Sequence, residues 1–338
     1  MADHDHTPGQ PEPGITNQGT PNQDALHPDN FQDDRPRART LTVTRAEAGQ
    51  KLLQYLARRT GQPDRLIHKW IRTGQVRVDK GRKKPFDRIE AGQTVRIPPY
   101  TPGEAKGAPA PAIVDGEAGR LVVAYEDDAL LAVAKPAGLA AHGGDGVTDS
   151  VVARLRAMFA GASFMPTLAH RLDRDTSGLL LAAKSYESLR ELNDLFASNG
   201  VAKVYLAWVD GRWAEPDGTL LEDVMEKRGA PGQERVRTGS GKTALARVNT
   251  LATEKDRSLV AVRLLTGRTH QIRVQLASRG HPVIGDKKYG DGRSRGAMRL
   301  HCYALRAGEK TLSLKPAWTG KWAPDAQALQ TALGLLFD

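Results

Sequence analysis

The segment TALARVNTLATEKDRSLVAVRLLTG, residues 243–267, constrains the fold more than any other stretch of this 338-residue chain. Apolar residues alternate with polar ones on both sides of the charged EKDR, a period of two broken by a turn, which predicts strand, turn, strand. Shorter runs of the same kind recur from residue 120 onward: LVVAYEDDALLAVAKPAG reads as a hairpin, LLLAAK and AKVYLAWVDG as single strands. Helical patterns are fewer. DSVVARLRAMFAG places Val151, Val152, Leu155, Met158 and Phe159 on one helical face. SYESLRELNDLFASNG opens with Ser185 as N-cap and closes before Gly200, and THQIRVQLASRG is a short helix ended by Gly280. With strands outnumbering helices and tight connections, residues 120–325 are expected to form an α+β domain around a mixed, largely antiparallel sheet, followed by a C-terminal segment at 326–338.

Residues 40–100 differ in character. EAGQKLLQYLARRTG sets Leu52, Leu53 and Leu56 at helical spacing and stops at Gly61; PDRLIHKWIRTG follows, with Asp64 as the expected N-cap after Pro63. In this second helix Leu66, Ile67, Trp70 and Ile71 make an apolar stripe, while Arg65, His68, Lys69 and Arg72 make a separate basic one. One face can pack while the other meets phosphates. QVRVD alternates as a strand, KGRKKP is a basic turn and QTVRIPP is a closing strand. Upstream, residues 1–39 are rich in Pro, Gly, Asn, Gln and Asp without periodic apolar positions, so they cannot recover the entropy of ordering and read as a disordered tail. The DHDH within it reads as solvated chain. Residues 101–119, TPGEAKGAPAPAIVDGEAG, read as a semi-stiff linker.

Charge indicates a partner. The chain carries net +10, but residues 1–40 carry −4, so the remainder carries +14, and residues 41–100 alone hold +9. That excess, on a stripe and a turn, suits a polyanion. The single cysteine, Cys302 in RLHCYALRA, excludes an intrachain disulfide framework and a thiolate metal cluster, and reads as a buried strand residue. No run approaches the roughly 18 apolar residues of a membrane span, and the first residues lack the basic and apolar parts of a signal peptide. A cytoplasmic protein without membrane contact is expected.

The densest cluster of reactive side chains is HRLDRDTSG, residues 170–178, expected as a surface loop leading into the strand LLLAAK. Its two aspartates, at i and i+2, suit the acid and base of a glycosidase, or equally salt bridges to Arg171 and Arg174. Residue types alone do not choose between Asp173 and Asp175. Further on, LLTGRTHQIRVQL puts Arg268 in a glycine-containing turn and His270 and Arg273 three apart on one helix face, and GDKKYG follows at 285–290. No pattern for a phosphate-cradling glycine loop, a bound zinc or a serine nucleophile occurs, so an enzyme built on this chain is expected to need neither metal nor organic cofactor.

HRLDRDTSG, KVYLA, TGRTHQIRVQLASRGHPVIGD and the earlier YEDDALLAVAKPAGLAAHGG closely resemble, in order, the successive motifs of the RluA-type pseudouridine synthases over about 200 residues. AHGGDG and GQERVRTGSGKTALARV are most similar to the RluC branch, which modifies large-subunit ribosomal RNA. RLIHKWIRTGQVRVD and AGQTVRIP resemble the small RNA-binding module named after ribosomal protein S-four, the alpha-L motif. Gln275 stands where the family often has histidine. The resemblance implies a pseudouridine synthase fold, with Asp173 as nucleophile, Tyr205 as active-site tyrosine, Arg273 as basic partner of the aspartate, and Arg171 as the arginine that helps displace the target base. Arg268, Arg65, Lys69 and Arg72 are expected to bind RNA. A tyrosine there could take the proton later lost from the uracil ring. The partner implied is RNA, most of all large-subunit ribosomal RNA, and a monomer is expected.

Three rival readings make distinct claims. A non-catalytic RNA-binding or ribosome-assembly protein would keep the scaffold without the chemistry, and a synthase for transfer RNA would keep the chemistry on another RNA. A two-carboxylate glycosidase would act on free glycans and have no use for the basic module.

Overall fold

The computed structural model describes residues 38–100, 119–144, 147–228, 235–239, 241–290, 292 and 296–338. Nearly all of the expected tail, the linker and parts of AHGGDG and GQERVRTGSG lie outside the described residues.

Two sheets organise the chain. The first has three antiparallel strands in the order β1 (Arg39–Thr42), β3 (Thr94–Ile97), β2 (Arg77–Val78). Helices α1 (Leu52–Thr60) and α2 (Asp64–Arg72) close over it. Gly61 ends α1 in the left-handed region, φ 66°, where a glycine carries no steric penalty, and its N–H bonds Ala57 O at 3.0 Å. Asp64 does not cap α2. Pro63, with its extended backbone, holds that position, and Asp64 begins the helix, where a carboxylate still favours the positive end of the helix dipole. Leu52, Tyr55, Leu56, Ile67, Trp70 and Val95 fill the core of this module, so the apolar stripe of α2 faces inward. Arg65, Lys69 and Arg72 are exposed on its other face.

The second sheet has eleven strands, nine of them in the order β10-β9-β11-β12-β8-β13-β7-β5-β4, with β14 on β13 and β6 on β7. In chain order these are β4 (Val122–Glu126), β5 (Leu130–Lys135), β6 (Thr167–Leu168), β7 (Ser177–Ala183) and β8 (Val201–Asp210). There follow β9 (Thr219–Arg228), β10 (Arg235–Thr238), β11 (Lys242–Thr253), β12 (Arg257–Leu264), β13 (Leu300–Ala307) and β14 (Lys310–Ser313). Every pairing is antiparallel except β13 with β7. The α+β architecture and the 243–267 hairpin, which is β11 and β12, are as the periodicity predicts.

Strand β8 explains why its sequence is apolar without clean alternation. Tyr205, Ala207 and Val209 belong to one core, Val204, Leu206 and Trp208 to the other, so both faces are covered. The first face is covered by α3 (Val151–Met158), α4 (Tyr186–Ala197) and α5 (Gln271–Ala277), which contribute Leu155, Leu192 and Leu276. The second is covered by α6 (Ala326–Gly334) through Ala328, Leu329 and Ala332. Each fully buried aliphatic side chain contributes about 1.5–3 kcal/mol. Ser185 caps α4 by accepting the Ser188 N–H, and Asn199, at φ 57°, turns the chain into β8.

The described residues belong to one compact unit. Within it Arg58 of α1 donates to Thr167 Oγ1 at 2.9 Å and lies over the Phe164 ring, 5.0 Å from its centre, while Gly49 packs against Tyr186.

Candidate active site

The loop at 170–176 is tied down from three directions. His170 is half-buried, its Nε2 accepts the Leu181 N–H at 3.0 Å, and desolvation by the surrounding protein drives its pKa down to about 3, so the ring stays neutral. Lys135 is 1% exposed and donates to the carbonyls of Pro136, Leu139 and Arg174 at 3.0, 2.6 and 2.8 Å. Burial lowers its pKa to about 8 against the pull of Asp175 and Asp173. A buried ammonium thus joins the KPAG turn to the aspartate loop. Gly178 allows the third tie: a β-carbon there would stand 2.3 Å from Cys302 O, so only glycine lets β7 press against β13. In that register Cys302 pairs with Gly178 on one side and Tyr205 on the other.

Opposite the loop, α5 presents Arg273. Its Nε and Nη2 donate to the two oxygens of Asp286 at 2.7 and 2.8 Å, and its Nη1 donates to Asp173 Oδ2 at 3.0 Å. The Asp286 side chain is 0% exposed and also accepts the N–H groups of Lys288 and Tyr289, so its pKa lies below the carboxylate range despite burial. Burial works to lower the Arg273 pKa, but the two carboxylates overcome it and hold the guanidinium charged. The Tyr289 ring lies under that guanidinium at 5.1 Å. Tyr205 is buried; burial and its bond to the Cys302 thiol raise the pKa well above that of a free phenol. It therefore enters any reaction as a phenol, which narrows the expected role of a waiting proton acceptor.

A cleft of about 740 Å³ collects these groups. Arg171, Asp173, Tyr205, Arg268 and Arg273, five of the expected site residues, all line it. Lys203, Arg263 and Arg306 line it too, and Asp173 is the one carboxylate among the lining residues. Asp175 is absent from the lining and pairs with its exposed neighbour Arg174 at 3.2 Å, which removes the two-carboxylate arrangement of a glycosidase. Arg65, Lys69 and Arg72 lie on α2, apart from the cleft. His270 precedes α5 rather than sharing its face with Arg273, at φ 53°.

Two residues of the site carry no sequence signal of their role. Asp286 ends the family-like run TGRTHQIRVQLASRGHPVIGD and Lys135 lies in YEDDALLAVAKPAGLAAHGG, but neither run says what its residue faces. Gln275, the family departure, is fully buried and ties α5 to Leu221, Asp223 and Ala244.

Asp173 has one oxygen held and the other open to the cleft, its side chain 19% exposed. Such a carboxylate can attack an electrophilic carbon, and the surrounding cations suit a substrate carrying phosphates.

A sequence profile of the RNA pseudouridylate synthase family matches residues 129–278. The ribosomal large subunit pseudouridine synthase C of Haemophilus influenzae (strain ATCC 51907 / DSM 11121 / KW20 / Rd) is 39% identical over 254 residues, 74% of this chain and 79% of the relative. The protein of the same name from Escherichia coli (strain K12) is 39% identical over 259 residues, 76% of this chain and 81% of the relative. Among solved structures, human RNA pseudouridylate synthase domain containing 1 superposes with a TM-score of 0.54 at 24% identity, over 66% of this chain and 98% of the other.

Proposed function

The chain belongs to the RNA pseudouridylate synthase family, and from that premise we propose that it isomerises specific uridines of large-subunit ribosomal RNA, with Asp173 as nucleophile. The observation that carries the assignment is the division of Asp173 between an arginine-held oxygen and an open one inside a cleft whose other charged lining residues are arginines and a lysine.

The carbon–nitrogen glycosidic bond of uridine is inert, so a carboxylate is needed to take up the ribose, or draw off a glycal-like intermediate, while the uracil stays trapped and turns. Arg273 accompanies the charge on Asp173 through both steps. Tyr205 supplies an apolar ring and a protonated hydroxyl beside the base. The base must first leave its stack, at roughly a few kcal/mol. Arg171, exposed on the cleft rim two residues before Asp173, has the planar group to fill the gap. Burial around Asp286 and Tyr205 keeps out water that would hydrolyse the detached sugar.

The 40–100 module is read as the part that holds RNA. Beyond the α2 stripe, Arg77 and Arg96 stand directly opposite one another on β2 and β3. Arg77 and Arg82 bring guanidinium nitrogens within 3.2 and 3.0 Å of the point where a side chain at Gly74 would begin. Like charges so placed are destabilising alone and suit a phosphate between them. The two synthase C relatives named above come from bacteria, where ribosomal RNA is made in the cytoplasm, and a cytoplasmic enzyme is proposed on that ground.

The test is tritium release from RNA labelled at uracil carbon five, with pseudouridine mapping of ribosomal and transfer RNA from cells lacking the gene. Loss of sites in large-subunit ribosomal RNA supports the reading; loss confined to transfer RNA, or no release, overturns it.

A further inference from the structure

His270 stands beside the nucleophile in a backbone conformation that residues other than glycine rarely adopt, φ 53°. It sits between two partners. Nδ1 lies 2.7 Å from the Tyr289 hydroxyl, and Nε2 lies 3.7 Å from Asp173 Oδ2, a gap that a small side-chain shift closes to a hydrogen bond.

The hydroxyl of Tyr289 settles where the imidazole carries its proton. Its oxygen already accepts the Val236 N–H at 3.1 Å, and it has one hydrogen to give. With a proton on Nδ1, that hydrogen would find no acceptor among the described residues, and Nε2 would turn a lone pair toward the Asp173 carboxylate. With the proton on Nε2, Tyr289 donates to Nδ1 and Nε2–H faces Oδ2 attractively. The second arrangement satisfies every group. Burial, Arg273 and Lys288 hold the imidazole pKa below its usual value against Asp173 and Asp286, so the ring is neutral with a single proton to place.

Oδ2 thus has Arg273 on one side and His270 on the other, while Oδ1 accepts no hydrogen bond among the described residues. We propose that His270 is a positioning residue: its tautomer set by Tyr289 and the Val236 backbone, it acts with Arg273 to hold Oδ2 and leave Oδ1 as the reacting atom. This rests on Asp173 being the nucleophile of uridine isomerisation. The ribose C1′–Oδ1 bond forms as C1′–N1 breaks, the electron pair passing to the uracil. After the ring turns, C1′–C5 forms as C1′–Oδ1 breaks and returns its pair to the carboxylate, and C5 then loses its proton to solvent while N1 takes one up. Oδ2 is the carbonyl oxygen of the intermediate ester throughout, facing two donors. On the glycal route the same free Oδ1 takes the ribose C2′ proton and later returns it.

Two replacements separate placement from bulk. His270→Gln sets an amide N–H where Nε2–H stands, whereas His270→Asn sets it near Nδ1, away from Asp173. Single-turnover rates at saturating uridine-containing RNA should fall roughly a hundredfold for His270→Asn and distinctly less for His270→Gln, with RNA dissociation constants unchanged. Tyr289→Phe keeps the ring under Arg273 and should slow the reaction roughly fivefold. In protein labelled with ¹⁵N-histidine, Nδ1 of His270 should resonate as an unprotonated acceptor, a signature that Tyr289→Phe weakens. Equal rates for the Gln and Asn variants, lost RNA affinity in place of lost rate, or a proton found on Nδ1 would each overturn the proposal. Should His270→Asn fail to fold, Tyr289→Phe and the nitrogen spectrum decide. A wild-type chain that releases no tritium would sink the functional reading and leave the tautomer assignment standing.

Discussion

Arg273 gives Asp286 two of its nitrogens, at 2.7 and 2.8 Å. Only the remaining Nη1 reaches Asp173, at 3.0 Å. Asp286 therefore orients the guanidinium before any substrate arrives, and the single, more open contact is the one to the proposed nucleophile.

Removing Asp286 should leave a buried guanidinium half-paired. Asp286→Ala is expected to lower stability by about 3–5 kcal/mol, the scale for breaking a buried pair by deleting one partner. It should also slow single-turnover isomerisation at temperatures where the variant stays folded. Urea unfolding read beside reaction rates checks both; full activity with normal stability would show that Arg273 needs no anchor.

The two aspartates of HRLDRDTSG should part company. Asp173→Asn is expected to abolish isomerisation with RNA affinity and folding nearly intact. Asp175→Asn, whose carboxylate pairs with exposed Arg174 and only acts on Lys135 through space, should change the rate by no more than about fivefold, the scale of an exposed ion pair. Both variants on one RNA decide the matter, and equal losses would mean that Asp175 is required.

Neutralising Arg65, Lys69 and Arg72 together should weaken RNA binding and flatten its salt dependence by a slope of roughly 0.7 per lost phosphate contact on single-stranded RNA. The same is expected for Arg77, Arg82 and Arg96. Turnover at saturating RNA should hardly change. Binding titrations in rising salt give the slope, and a slope unaltered by both triple variants would remove the module from RNA recognition.

Acid should destabilise the fold earlier than its carboxylates alone would. Folded His170 and His301 refuse a proton until about pH 3 and about pH 4, because packing desolvates both rings, while the unfolded chain takes them up near 6.5. Below 6.5 the unfolded state binds more protons, so stability falls as pH falls. Each histidine costs about 1.4 kcal/mol per pH unit, both of them down to about pH 4 and His170 alone down to about pH 3. Urea unfolding at pH 7.5 and pH 5 measures the difference; equal midpoints would mean that the buried rings are not neutral.

The hairpins, the α2 stripe and the Ser185 cap are local patterns, and local patterns survive folding. Asp173, Tyr205 and Arg273 were reachable only through motif resemblance, since nothing in HRLDRDTSG by itself separates Asp173 from Asp175. Asp286 and Lys135 were illegible for a different reason. Their meaning lies in what they face, a guanidinium thirteen residues upstream and a carbonyl thirty-nine residues downstream, and such pairings exist only after tertiary closure. The cap of α2 was misplaced by one residue because a proline there competes with an aspartate that is favourable at either position.

The place of β13 in the middle of the sheet has a consequence in time. Asp173 leads into β7 and Tyr205 sits in β8, and the strand that separates and bridges them, Leu300–Ala307, is synthesised after both. While a ribosome is still translating the preceding residues, β7 and β8 are held apart with unpaired edges between them, and closing them waits on a contact spanning over a hundred residues. A nascent chain stalled before residue 300 would thus carry Asp173, Tyr205 and Arg273 but lack the strand that joins β7 to β8.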